Sequence, residues 1–168
     1  IYDFGAATGN IGRSLKPIIE KRNARLVGIE PSQAMIDIYD APGEVVCAKA
    51  EDFIPEDFDL AVLFLTLMFV EPCKRRRLMK LLRNKCKLGG AIVVFDKLEP
   101  ISGYPATIFY RLTLAGKKAA GTNANEIIEK ELSLSGVQRP INEMQLAGDS
   151  HLWFKYGDFA GWLIEKEC

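Results

Sequence analysis

Ile1-Tyr2-Asp3-Phe4-Gly5-Ala6-Ala7-Thr8-Gly9-Asn10-Ile11-Gly12 begins as a short apolar run and turns, through an acid and two spaced glycines, into a segment of helical composition. A second apolar run, Leu26-Val27-Gly28-Ile29, closes on the acid Glu30. A strand that ends in a glycine turn and feeds a helix, followed by a strand that ends in a carboxylate, opens an α/β sheet whose carboxyl edge receives a nucleoside. Gly5 and Gly9 are positions without a side chain, where the backbone can turn at positive φ and a ligand can come close. Asp3 would repel a pyrophosphate and suits an ammonium group or an ordered water, while Glu30 suits a grip on two ribose hydroxyls. Glu30 also reads as a helix-start acid favoured by the macrodipole. A dinucleotide fingerprint wants glycine at the first, third and sixth loop positions, which hold Gly5, Ala7 and Asn10, and no Gly-Lys-Ser/Thr ending cradles a phosphate. The stretch therefore reads as the binding turn of a phosphate-free nucleoside cofactor.

Beyond Glu30, strand-like and helix-like runs alternate, the order that builds a mostly parallel sheet with helices on both faces. Strands are expected over 1–4, 25–29, 44–48, 60–65 and 91–95, the last two apolar enough to be buried on both sides. Helices are expected over 10–21, 33–39 and 72–87, the last stopped by Gly89-Gly90. The crevice lies at the switch between the first and fourth strands. The pattern then changes. A helix is expected over 105–120, with Ile108, Leu112 and Ala115 on one face, and residues 152–156 and 159–165 read as an antiparallel hairpin through Gly157-Asp158, with 159–165 at the sheet edge.

Composition sets outer limits. The chain has 168 residues, one domain by length, with 48% hydrophobic content. Lys plus Arg and Asp plus Glu number 22 each, so no overall field gathers polyanions. Cys47, Cys73, Cys86 and Cys168 lack metal-type spacing and read as reduced thiols, Cys47 in a buried strand. No apolar run reaches membrane-span length and no signal sequence is visible, which makes a cytoplasmic location the default. The chain opens on Ile1 inside a strand, so a further N-terminal segment is expected before it.

Asp3-Phe4-Gly5-Ala6-Ala7-Thr8-Gly9 resembles the first motif of class I S-adenosylmethionine-dependent methyltransferases, and Val27-Gly28-Ile29-Glu30-Pro31-Ser32-Gln33-Ala34-Met35 resembles their second. Ala50-Glu51-Asp52-Phe53 stands where that family contacts the adenine rim, and Phe58-Asp59-Leu60-Ala61-Val62-Leu63-Phe64-Leu65 resembles the strand beside the cofactor. The resemblance implies a Rossmann-like fold, α/β, with a mostly parallel seven-stranded sheet and a C-terminal antiparallel hairpin. It implies a single domain over 1–168 with a helical insertion over 99–148 near the substrate site. Its cofactor is S-adenosyl-L-methionine (SAM), with S-adenosyl-L-homocysteine (SAH) or carboxy-S-adenosylmethionine as other bound forms. Cofactor binding then falls to Asp3, Gly5, Ala6 and Gly9 in the first motif and to Glu30, Pro31 and Met35 in the second. Ala50, Glu51, Phe64 and Leu65 complete the set, although Met35 reads equally well as core.

Within that family, Thr66-Leu67-Met68-Phe69-Val70-Glu71-Pro72, Leu88-Gly89-Gly90-Ala91-Ile92-Val93-Val94-Phe95-Asp96-Lys97 and His151-Leu152-Trp153-Phe154-Lys155-Tyr156 resemble the carboxy-S-adenosylmethionine synthases, which serve wobble-uridine modification of transfer RNA. The stretch matching that group's carboxylate-binding arginine reads Glu129-Lys130-Glu131-Leu132, placing Glu131 at the arginine position with Lys130 and Arg139 as nearby bases. The resemblance also implies a homodimer, with the edge at 159–165 as its contact. Tyr110 and Arg111 are the candidates to face a substrate, Arg111 through its planar fork. His151, the one histidine, reads as structural. Arg76, Lys80, Arg83 and Lys87 form a stripe that is either RNA-facing or the solvated side of an amphipathic helix. Three functions remain open: methyl transfer to a small-molecule or transfer-RNA acceptor, carboxy-SAM synthesis from SAM and prephenate, and a non-catalytic SAM- or RNA-binding module. A sulfonium donor carries its own activation, so transfer needs little acid-base machinery, and no metal is expected.

Overall fold

The computed structural model describes residues 1–99, 103–146 and 148–167. Pro100, at the start of the expected insertion, and Cys168 lie outside the described residues. In chain order the elements are β1 (Tyr2–Phe4), α1 (Asn10–Arg22), β2 (Val27–Glu30), α2 (Gln33–Ile36), β3 (Glu44–Cys47), β4 (Phe58–Phe64), α3 (Pro72–Lys85), β5 (Cys86–Lys97), α4 (Tyr104–Ala119), α5 (Ala124–Ser133), β6 (His151–Tyr156) and β7 (Phe159–Glu165), with short 3-10 turns at Leu67–Phe69 and Glu143–Leu146. The seven strands form one sheet in the order β3-β2-β1-β4-β5-β7-β6. The first five run parallel. β7 pairs antiparallel with β5, and β6 with β7. β1 therefore sits where the strand order reverses, between β2 and β4, the place at whose carboxyl edge such a sheet receives its ligand.

Burial follows from strand period. Tyr2 and Phe4 point to one face, against Phe53 and Phe58 with ring centroids 5.8 to 6.2 Å apart. On that side Ile92 and Val94 of β5 and Leu78, Met79 and Leu82 of α3 share the core. Trp162, Ala160 and Ile164 of β7 belong to the same cluster.

Several expectations need correction. The third helix stops at Lys85, and Gly89-Gly90 lie inside β5 rather than capping a helix. Cys86 pairs with Phe58, and Gly89 N donates to the Lys166 carbonyl, so sheet hydrogen bonds claim residues that helical periodicity would have kept. The second helix is one turn, Gln33–Ile36, instead of reaching 39. The strand at 159–165 is interior; the edge is β6, all of whose residues are exposed. Cys47 is exposed, because β3 is the other edge. The segment 124–133 forms a further helix, started by the Asn123 side chain accepting from Asn125 N at 2.8 Å. α4 has no buried residue, and Ile108 and Leu112 are 39% and 60% exposed.

Candidate functional site

At the end of β1, Gly5 N and Ala6 N both donate to the Ile29 carbonyl, at 2.8 and 3.1 Å, which welds the glycine turn to β2. Gly5 has φ +76°, and a Cβ there would lie 2.4 Å from Thr66 Oγ1. That hydroxyl in turn donates to the Phe4 carbonyl at 2.6 Å. Gly9 has φ +94°, and its Cβ would meet that of Ala41 at 2.5 Å. Both glycines are thus required by the protein's own packing. Ala7, in the middle of the turn, takes a positive φ of 46° without being glycine.

The turn and the second-strand acid meet directly. Glu30, 7% exposed, accepts from Ala7 N on one carboxylate oxygen and from Ser32 N on the other, each at 2.9 Å. Each oxygen keeps a lone pair for a further donor, which is the arrangement two adjacent hydroxyls need. Asp3 lies beside it, 1% exposed, with Oδ2 making no hydrogen bond. Burial first, and the charge of Glu30 second, push the Asp3 carboxyl up to about 7. A buried acid with an unpartnered oxygen and a carboxylate neighbour is a place for a cation, since an ammonium would relieve both penalties.

The other candidate residues follow the carboxyl ends of β2, β3 and β4. Pro31 and Met35 follow Glu30 on the exposed side, Met35 being 41% exposed on α2 instead of core. Ala50 is buried after β3, and the adjoining Glu51, whose side chain is 9% exposed, faces Lys74 Nζ at 3.8 Å. Phe64 ends β4 with its ring stacked on Phe95 at 4.9 Å and 11°. Leu65 takes φ 56° and donates to the Phe95 carbonyl at 2.7 Å. A surface depression of about 800 Å³ lined by Ile1, Arg25, Asp59 and Lys87 lies at the opposite, amino end of the sheet, away from all of these groups.

Three contributors were not read from the sequence as site residues. Asp96 near the end of β5 is fully buried and accepts from Lys97 N at 2.8 Å and Met68 N at 3.3 Å. Burial raises its carboxyl to about 6 against those backbone donors. An acid ending the apolar run 91–95 was the available signal. Arg75, 1% exposed, donates to the carbonyls of Val70, Met68, Arg139 and Pro140 and to Gln145 Oε1, binding the turn after β4 to the segment after α5. Tyr39, behind the glycine turn, is the third.

Of the basic stripe, Arg76 and Lys80 stay exposed on α3, whereas the other two residues are engaged. Arg83 donates to the carbonyls of Leu146 and Asp149, and Lys87 sits in β5 against Asp59 at 3.3 Å. Tyr110 and Arg111 are exposed on α4. That helix reaches the carboxyl end of the sheet through Phe109, whose ring lies 3.5 Å from where a Cβ of Gly157 would stand; Gly157 is in the β6–β7 turn next to Phe159, the register partner of Lys97. His151 begins the exposed edge strand. Glu131 is held by Lys117 Nζ at 2.7 Å, an α4–α5 contact.

Residues 1–90 match the family model described as a methyltransferase domain. The chain belongs to that methyltransferase domain family. Over 183 aligned residues it is 30% identical to the carboxy-S-adenosyl-L-methionine synthase of Shewanella pealeana, covering 99% of this chain and 75% of that protein, and equally so to the one of Shewanella woodyi. Among solved structures, a SAM-dependent methyltransferase from Clostridium acetobutylicum superposes with a TM-score of 0.63 at 12% identity over 99% of this chain and 83% of that one. CalO1, a methyltransferase of calicheamicin biosynthesis solved in its SAH-bound form, superposes with 0.60 at 13% identity over 96% and 47%. These two likenesses establish the fold, Rossmann-like with a seven-stranded sheet. As a methyltransferase domain the chain is a SAM-dependent enzyme, and its residues fit that cofactor: Asp3 has the unpartnered buried oxygen that an ammonium would satisfy, and Glu30 has two oriented oxygens. No helix among the described residues is long and apolar enough to cross a membrane.

Proposed function

We propose that this methyltransferase domain makes carboxy-S-adenosylmethionine from SAM and prephenate, the reading its relatives' names favour. The observation that carries it concerns Arg139. Its backbone N donates to the Met68 carbonyl at 2.8 Å and its own carbonyl accepts from Arg75 at 2.6 Å, so the residue is anchored beside the 3-10 turn that follows β4. Glu131, which the resemblance set at the arginine position, is instead neutralised by Lys117. Arg139 is then, with Lys130, a base available to a carboxylate, and its planar fork suits one. Bound at the carboxyl edge, the cofactor supplies a sulfonium-activated one-carbon group. Asp3 holds its ammonium, Glu30 its ribose, Met35 and Ala50 border its adenine, and Gly5, Ala6, Gly9, Pro31, Glu51, Phe64 and Leu65 complete the wall. Mass spectrometry of the nucleoside that copurifies, before and after incubation with SAM and prephenate, tests this: a donor heavier by one carboxyl group supports it, and unmodified SAM or SAH alone overturns it.

Methyl transfer to a small-molecule acceptor is the second reading, favoured by the half-exposed Phe64 stacked on Phe95 and by the exposed Tyr110 and Arg111 on α4. Turnover of SAM to SAH with an acceptor and without prephenate distinguishes it. The same proposal makes the protein a cytoplasmic homodimer in the transfer-RNA modification pathway. Its dimer contact is β6, where Leu152, Trp153 and Tyr156 are more than half exposed on an unpaired edge.

A further inference from the structure

Tyr39 belongs to none of the motifs that define the site, yet its hydroxyl is buried without a partner, as is Asp3 Oδ2; among the described residues no other side-chain oxygen or nitrogen is left so. The two atoms belong to one pocket. Asp3 pairs with Gly28 across β1 and β2. The space that a Cβ on Gly28 would fill is bounded by the Tyr39 oxygen at 3.3 Å and the Ala6 Cβ at 2.9 Å. The same oxygen lies 3.5 Å from the corresponding position on Gly12, and ring atom Cε2 lies 3.1 Å from that on Gly9. Gly9, Gly12 and Gly28 therefore leave a slot beneath the cofactor turn, and the phenol fills it.

Arg13 locks the slot from outside. Its guanidinium donates to the Thr8 carbonyl at 2.6 Å and to the side chains of Asn10 and Asp40. Residue 39 is thereby tied to the turn it supports. The charged and titratable groups facing the pocket are Asp3 from β1, Glu30 from β2, Arg13 from α1 and Tyr39 itself. Unsatisfied buried oxygens are rare in native proteins. One of these is a donor and the other an acceptor, which points to a hydrogen bond made when the site is engaged.

We infer that Tyr39 is a positioning residue of the cofactor site: once the cofactor is bound, its hydroxyl donates to Asp3 Oδ2, directly or through one buried water, and keeps that carboxylate ionised and aimed at the cofactor's ammonium group. This rests on the methyltransferase reading of Asp3. A hydroxyl donating to a carboxylate favours its charged form, so removing the hydroxyl makes Asp3 harder to ionise.

Tyr39→Phe keeps the ring in its slot and removes only the oxygen. Calorimetric titrations between about pH 5 and 9 with SAH, and with 5′-methylthioadenosine, which has the adenosine and the sulfur but no amino-acid portion, read the effect. The variant is expected to bind SAH roughly tenfold more weakly near neutral pH, with the acid limb of its binding profile moved upward, and to bind methylthioadenosine as the unsubstituted protein does. In an Asp3→Asn background, Tyr39→Phe is expected to add no further loss. Equal weakening of both ligands, or an unshifted SAH profile, overturns the inference. Should Tyr39→Phe fail to fold, Asp40→Ala, which releases residue 39 at the surface, is expected to give the same ligand-selective loss in smaller measure, and a loss on both ligands refutes it. An unsubstituted protein that binds neither ligand overturns the cofactor-site reading itself, an outcome distinct from the failure of Tyr39 alone.

Discussion

Asp3→Asn is expected to stabilise the cofactor-free protein at neutral and alkaline pH while removing the receptor for the ammonium. Asp3 is 1% exposed, has an oxygen without a partner and faces Glu30, and burial followed by that charge raises its carboxyl from 3.8 to about 7. Because the folded value lies above the unfolded one, the native state binds the extra proton between the two, and stability falls as the pH rises through that window. At about 1.4 kcal/mol for each pH unit, the difference approaches roughly 4 kcal/mol once the pH exceeds the folded value. That is a large share of the roughly 5–15 kcal/mol that holds a domain together. Asparagine carries no charge at any pH and escapes this cost. Urea unfolding of both proteins from about pH 4 to pH 8 checks it: the stability difference should be small at the acid end and grow toward roughly 4 kcal/mol in favour of the variant at the other. Asp96, raised to about 6, tilts both curves in the same direction and cancels in the difference. A difference that does not change with pH, or a variant less stable at pH values above about 7, would mean that Asp3 is paired in the folded chain and would refute the reasoning.

Gly5→Ala should destabilise by about 1–3 kcal/mol from its positive φ alone, with more from the contact with Thr66 Oγ1, and a Thr66→Ala partner should restore part of the lost melting temperature. Glu30→Gln turns one acceptor into a donor facing the backbone N–H of Ala7 or Ser32, so a loss of about 1–3 kcal/mol is expected in denaturant titration, with at least a tenfold loss of SAH affinity by calorimetry. Arg75→Met strands the carbonyls of Val70, Arg139 and Pro140 at a cost of about 3 kcal/mol or more; hydrogen exchange should accelerate first across 139–146, and uniform protection there would contradict the clamp. Trp153→Lys on the exposed edge strand should convert a dimer to a monomer in light scattering, without loss of melting temperature beyond that of dissociation.

The parallel half of the sheet was legible because each strand from β1 to β4 is a short apolar run ended by a turn or an acid, a local pattern. The helix after Pro72 was read too long because Cys86 and Lys87 fit its period, whereas their partners, Phe58 and Asp59, come from a strand earlier in the chain. The hairpin strands His151–Tyr156 and Phe159–Glu165 are both rich in apolar residues, and composition alone did not tell interior from edge. Contact with β5 decides it, burying Ala160, Trp162 and Ile164 and leaving Trp153 and Tyr156 outside. Arg75 looked like one more base on a solvated helix; its acceptors at Arg139 and Pro140 lie more than sixty residues downstream.

By itself the sequence determined the glycine turn after Asp3, the acid at Glu30 and the alternation that places both at one edge of a sheet, because turn geometry and strand period act over a few residues. Only the tertiary structure decided that Asp3 is held without a partner beside Glu30 and Tyr39, that Arg139 is moored at Met68 while Glu131 is tied up by Lys117, and that β6 rather than β7 is the edge strand of the hairpin. Ionisation and hydrogen-bond satisfaction depend on which distant groups share a dry volume, and no local pattern encodes that neighbourhood.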